Sequence, residues 1–259
     1  MASEIKRSPI PTDRAHRQSW EKSERSRLKN VVRYKPVQMI HPWLVDDTYH
    51  NEIESVSYRF QFSNGLSATG VWIKAVSTPE NAPLTIFLND QGKEAAAKEV
   101  WDHLPSVADR LSRGEQVLVL DLLFTDDAAP DLDSYYFADM LRSIGDRPLG
   151  MEAAQLIAVS KWAQQTWSPP QIRVESTGIR SQIESLVAAA IEPGMFSKIV
   201  IRGGMKSLNY LLEKPVDYVD APELFCLDLY KYFDVDTLEA LAGQISIVHE
   251  SYLELSAKQ

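Results

Sequence analysis

From Ile53 the chain alternates: Val56, Tyr58, Phe60 and Phe62 fall on one side with Ser57, Arg59 and Gln61 between them, the period of a half-buried strand. Asn64-Gly65 follows at once, two residues that tolerate positive φ, and Thr69 to Ala75 supplies a return strand, so a hairpin is predicted. After Pro79 and Pro83 the alternation gives way to short continuous apolar runs at Leu84–Leu88, Gln116–Asp121, Ile172–Ser176, Lys198–Arg202 and Gln244–His249, which suit strands covered on both faces. Helical periodicity over 94–112, 149–167 and 181–191, with mixed helical segments over 205–241, separates them. Strand and helix in alternation predict an α/β domain: a doubly wound, mostly parallel sheet entered through an antiparallel hairpin. Residues 36–259 read as one domain and 1–35 as a separable N-terminal extension.

Charge supports that division. The chain of 259 residues has a formal net charge of −9, yet residues 1–35 hold ten Lys/Arg against four Asp/Glu, which leaves −15 on the rest by subtraction. A basic arm or helix lying on an acidic body is therefore expected. Nucleic acid and membrane surfaces are not expected partners, because only Trp20 and Tyr34 interleave aromatic character with the basic residues. No apolar stretch approaches the roughly 20 residues of a membrane span, and the charged N-terminus carries no signal-like apolar core, so a cytoplasmic setting is expected. The single cysteine, Cys226, has no disulfide partner. No metal or other cofactor is expected: Asp121, Asp126 and Asp127 read as a solvated or capping loop, and Gly203-Gly204 lacks the spacing of a nucleotide loop.

Chemistry in open α/β sheets gathers beyond the carboxyl ends of strands. Four such ends stand out: Asn89 to Lys93, Asp121 to Asp127, Gly178 to Gln182, and His249-Glu250. The third has the frame of a nucleophile elbow, a strand turning sharply through glycine into a helix with small residues, Ala188-Ala189-Ala190, behind it. Its centre holds Arg180 where a nucleophile belongs, and Gln182 where the second glycine belongs. A guanidinium stays protonated and cannot attack, but beside a helix N-terminus it favours an anion. Ser181 stands one residue on, either as a nucleophile presented by a shifted turn or as a helix-start residue capping backbone N–H groups. His249 is a base if the C-terminal segment folds over the site, and otherwise a surface group. His41, His50 and His103 have no triad-like context, and Tyr135-Tyr136-Phe137 either lines a cleft or packs.

Taken together, Leu84 to Lys93, Leu118 to Thr125, Gly145-Asp146-Arg147-Pro148-Leu149-Gly150-Met151 leading into the long helix, the elbow, and Leu224 to Leu241 resemble the α/β-hydrolase family, in its acetylxylan-esterase-like branch. The resemblance spans roughly residues 35–255. It implies hydrolysis of acetyl esters on carbohydrates by a Ser-His-acid triad, with oxyanion-hole N–H groups falling on Gln91 or Gly92 and on Gln182. The acid's neighbourhood falls on Glu250, and the histidine of the family follows a further strand, which is expected to be missing here. Two readings remain open. In one, the triad is lost and the domain is a structural or binding partner of a catalytic hydrolase domain or of a second copy, with Arg180 as an anion anchor. In the other, Ser181 attacks a carbohydrate ester, with His249 or a partner's histidine as base and Glu250 as acid.

Overall fold

The computed structural model describes residues 5, 7–95, 105–130, 133–214 and 216–253. Eight strands form one sheet: β1 (Met39–His50), β2 (Ile53–Phe62), β3 (Ser67–Ala75), β4 (Leu84–Asn89), β5 (Gln116–Asp121), β6 (Ile172–Thr177), β7 (Lys198–Arg202) and β8 (Ser246–His249). The helices are α1 (Arg14–Val31), α2 (Pro105–Ser112), α3 (Ser134–Ser143), α4 (Pro148–Trp167), α5 (Ile179–Ile191) and α6 (Val235–Leu241), with short helical turns between them.

The spatial order is β1-β2-β3-β5-β4-β6-β7-β8. The first three strands and β5 pair antiparallel, and β5, β4, β6, β7 and β8 run parallel. After β4 the chain moves outward to β5 and then returns to the other side of β4 for β6. That reversal brings together the loops after β4, β5 and β6, and it is where an open α/β sheet forms its crevice.

Alternation within each strand divides the core. Ile86, Leu88, Leu118, Leu120 and Val174 face the main core under α4 and α5, whereas Phe87, Val117 and Val119 face a smaller cluster with Val107 and Leu111 of α2. Farther along the α2 side, β6 and β7 present Arg173, Glu175 and Arg202. Buried Glu175 accepts from Arg110 Nε at 2.9 Å and Arg202 Nη1 at 2.7 Å, while Arg173 meets Glu115 at 2.7 Å. Matched charges, one of them Arg110 of α2 itself, thus cover this part of the sheet face.

Residues 1–35, set apart above as an extension, contribute α1, whose Trp20, Leu28 and Val31 belong to the main core together with Val32. Its basic residues have a specific use. Arg25 donates to the Ala190 and Leu241 carbonyls and Arg17 to Ala240, so guanidinium groups meet the C-terminal, partially negative ends of α5 and α6. The charge asymmetry pointed to attraction, and helix-end carbonyls supply part of its target.

Strand β1 lies outside the predicted pattern. Pro42 and Asp46-Asp47 interrupt its apolar residues, and register shifts lie between Met39 and His41 and between Leu44 and Asp46. Most of its side chains are exposed, so burial imposes no alternation. The predicted helix over 94–112 is described as α2 over Pro105–Ser112; residues 96–104, and with them His103, lie outside the described residues. No described helix is long and apolar enough to cross a membrane.

Candidate functional site

The turn between β6 and α5 is built on Gly178, whose φ of +110° is open to glycine and strained for any other residue. A Cβ there would lie 2.2 Å from the Asp90 carboxyl. Asp90, from the loop after β4, is the feature that residue-by-residue reading missed. Its Oδ2 accepts from the Arg180 backbone N–H at 3.0 Å, and its Oδ1 from the Ser181 N–H at 2.9 Å. Ser181 Oγ lies 2.8 Å from the same Oδ1 and 2.9 Å from the Thr177 carbonyl. The positive end of α5 therefore already holds a carboxylate, delivered from a different strand.

Arg180 is the second residue of α5 and has helical backbone, and Gly178 carries the positive φ of the turn. Its guanidinium turns inward: Nε donates to Glu223 Oε1, and Nη2 to the Phe124 carbonyl at 3.1 Å. One side chain thus ties α5 to the loop after β5 and to the helical turn Pro222–Phe225. Charges from Glu223, Glu184 and Glu152 outweigh burial and hold it firmly protonated. Its anion is therefore an internal one, which corrects the expectation of an open anion anchor.

The acids around it outnumber it. Glu152 on α4, Glu184 on α5 and Glu223 are fully buried, and Asp90 stands beside them. Both Glu152 oxygens and Glu223 Oε2 lack hydrogen-bond partners among the described residues. Burial, reinforced by the neighbouring carboxylates, pushes Glu152 well above the ordinary carboxylate range and Glu184 up to about 8. The space left among Asn89, Asp90, Thr125, Arg180, Ser181 and Glu184 is a cavity of about 10 Å3, about the size that admits one water.

The remaining candidates are dispersed. Ser181 is 2% exposed inside the first turn of α5. His249 Nε2 meets Glu239 Oε1 of α6 at 2.6 Å and its ring stacks on Tyr252, while Glu250 accepts from Arg202 Nε at 2.6 Å. The structure thus brings Ser181 to Asp90 and brings neither His249 nor Glu250 to Ser181. The proposed oxyanion donors are also engaged. Gln91 N–H donates to Asn89 Oδ1 at 2.8 Å, Gly92 N–H to the Asn89 carbonyl at 2.9 Å, and Gln182 N–H to the Gly178 carbonyl at 3.4 Å. The Gln182 side chain makes a two-point bridge to Met205, accepting from its N–H at 2.8 Å and donating to its carbonyl at 2.9 Å. Where a glycine would let the backbone pass, this bridge holds the loop after β7.

Asp121, Asp126 and Asp127 gather around a cation of the chain itself. Lys93 Nζ lies 2.8 Å from Asp121, 2.6 Å from Asp127 and 3.6 Å from Asp126. Tyr135 contacts Tyr218 and Phe137 contacts Phe124, with ring centroids 5.5 and 6.0 Å apart. Among the described residues no His/Cys/Asp/Glu group has an arrangement that could hold a metal ion.

No protein-family sequence model and no curated protein sequence matches the chain. Solved structures do match in shape. A candidate acetyl xylan esterase from Bacteroides fragilis superposes with a TM-score of 0.78 at 12% identity, over 97% of this chain and 73% of that one. The glucuronoyl esterase of Solibacter usitatus gives 0.60 at 9% identity over 95% and 80%, and an acetyl xylan esterase from Paenibacillus sp. R4 gives 0.55 at 12% over 93% and 77%. The chain has the α/β-hydrolase fold. At these identities the likeness is one of architecture, and present chemistry has to be argued from the site.

Proposed function

We propose that this domain is a non-catalytic relative of the carbohydrate esterases, retained as a structural or binding partner of a catalytic hydrolase domain or of a second copy. The observation that carries the reading is the occupancy of the elbow. Asp90 fills the N-terminal anion position of α5, Arg180 and its buried glutamates fill the space beside it, and about 10 Å3 remains. An acyl-transfer site needs a nucleophile within reach of a base and of free N–H donors around one reacting carbon. Ser181 is engaged by Asp90 and Thr177, His249 by Glu239, and the candidate donors by their own turns.

A fluorophosphonate probe tests this directly. Folded protein is expected to remain unlabelled under conditions that label an active serine esterase to completion. Stoichiometric labelling, mapped by mass spectrometry to Ser181, would overturn the proposal.

A further inference from the structure

A group of arginines without carboxylate partners among the described residues lies one segment away from Arg180. A cavity of about 210 Å3 is lined by Arg33, Arg142 and Arg147 together with Gly145, Pro148 and the segment 222–227. These arginines come from separate places: Arg33 just beyond α1, Arg142 in the last turn of α3, and Arg147 at the N-cap of α4. None of the three has a carboxylate partner among the described residues. Both acids in the wall are matched elsewhere, Asp146 by Lys35 and Glu223 by Arg180. In a chain of net charge −9, three arginines line one concavity, none with a carboxylate partner of its own among the described residues.

The wall holds two of them in place. Arg142 Nη2 donates to the Pro222 and Phe225 carbonyls, each at 3.1 Å, and its guanidinium lies 4.3 Å from the Tyr218 ring centre. Arg147 Nη1 donates to the Leu227 carbonyl and lies 3.5 Å from Cys226 Sγ. Each guanidinium carries five N–H donors, so these contacts leave donors unused. Arg33 is exposed at the rim, has positive φ and makes no side-chain hydrogen bond among the described residues. The N-terminus of α4, a helix of 20 residues with no side-chain cap, opens beside them through Arg147 and Pro148 and adds its own positive end. Burial pushes the Cys226 thiol up, so the sulfur in the wall stays neutral and leaves the charge of the cavity positive.

We infer that this cavity binds a tetrahedral oxyanion, a phosphoryl or sulfuryl group, with Arg147 and Arg142 as fixed donors and Arg33 closing from the rim. Paired guanidinium N–H groups fit the edges of such a group, and a helix N-terminus favours its charge. The inference is independent of whether the domain hydrolyses esters.

Calorimetry at low ionic strength on the full chain, with inorganic phosphate, sulfate and glucose 6-phosphate as probes and chloride as control, tests it. Phosphate or sulfate is expected to bind above the chloride background. Arg33→Glu, at a side chain without partners among the described residues, is expected to fold normally and to weaken binding about ten- to a hundredfold, with Arg33→Lys retaining part of it. Tighter binding of glucose 6-phosphate than of phosphate assigns the phosphoryl group to a larger molecule, and the reverse assigns a free ion. No saturable binding of any of the three probes, or unchanged binding in folded Arg33→Glu, would overturn the inference.

Discussion

Arg180→Met is expected to lower the stability of the domain by about 3–5 kcal/mol, because it removes the single cation from a buried group of acids. The methionine keeps much of the hydrophobic volume, so the loss reports charge and hydrogen bonding more than cavity formation. Three contacts go at once: the ion pair with Glu223, the donation to the Phe124 carbonyl, and the field that Arg180 exerts on Glu152 and Glu184. Glu223, with one oxygen already lacking a partner, is left to take up a proton or remain charged in an apolar surround. The cost should therefore grow with pH. Adding Glu223→Gln should restore part of the stability, since a neutral amide needs no counter-charge, and the cycle of single and double variants in urea isolates the coupling. Arg180→Met unfolding at the parent's urea midpoint would show that the pair contributes nothing.

The second large effect is in the pH dependence of folding. Glu184 titrates at about 8 in the folded chain, from an ordinary value of 4.5, through burial and the nearby charges of Glu223 and Asp90, with Arg180 opposing. The folded state thus binds a proton that the unfolded chain gives up near its ordinary value. Stability contributed by this group is complete at acid pH and falls as pH rises toward about 8, by about 1.4 kcal/mol per pH unit for each proton released on unfolding. Glu152 shifts in the same direction and steepens the fall. Urea midpoints should therefore decline between about pH 5 and about pH 8. Glu184→Gln should flatten that decline and be the more stable chain at the upper end. Parallel profiles for the two chains would remove Glu184 from the account.

Much of the fold was legible because its strands obey simple periods. β4, β5 and β7 begin and end within a residue of their apolar runs, since a strand covered on both faces has little choice of composition. Asn64-Gly65 marked the β2–β3 turn, where Gly65 has φ +82°. β1 escaped because both of its faces are largely exposed and burial left no mark on its sequence. At the site, the elbow frame was legible from Gly178 and the alanines behind it. Its contents were not: Asp90 reaches Arg180 from 90 residues away in sequence and Glu223 from 43 residues away. No local pattern records such partners. Gln91 and Gly92 lie in the loop after β4, where their N–H groups close that loop on Asn89, while the neighbouring aspartate projects into the elbow. Arg180 likewise announced an anion without indicating that the chain supplies it.

Hydrolysis of an aryl acetate by the purified chain, compared between the parent and Ser181→Ala, tests most directly whether the elbow still performs chemistry. Equal rates in the two, both at the level of an inert control protein, are the result expected of a site filled by Asp90 and Arg180. Turnover well above the control that disappears in folded Ser181→Ala would contradict it.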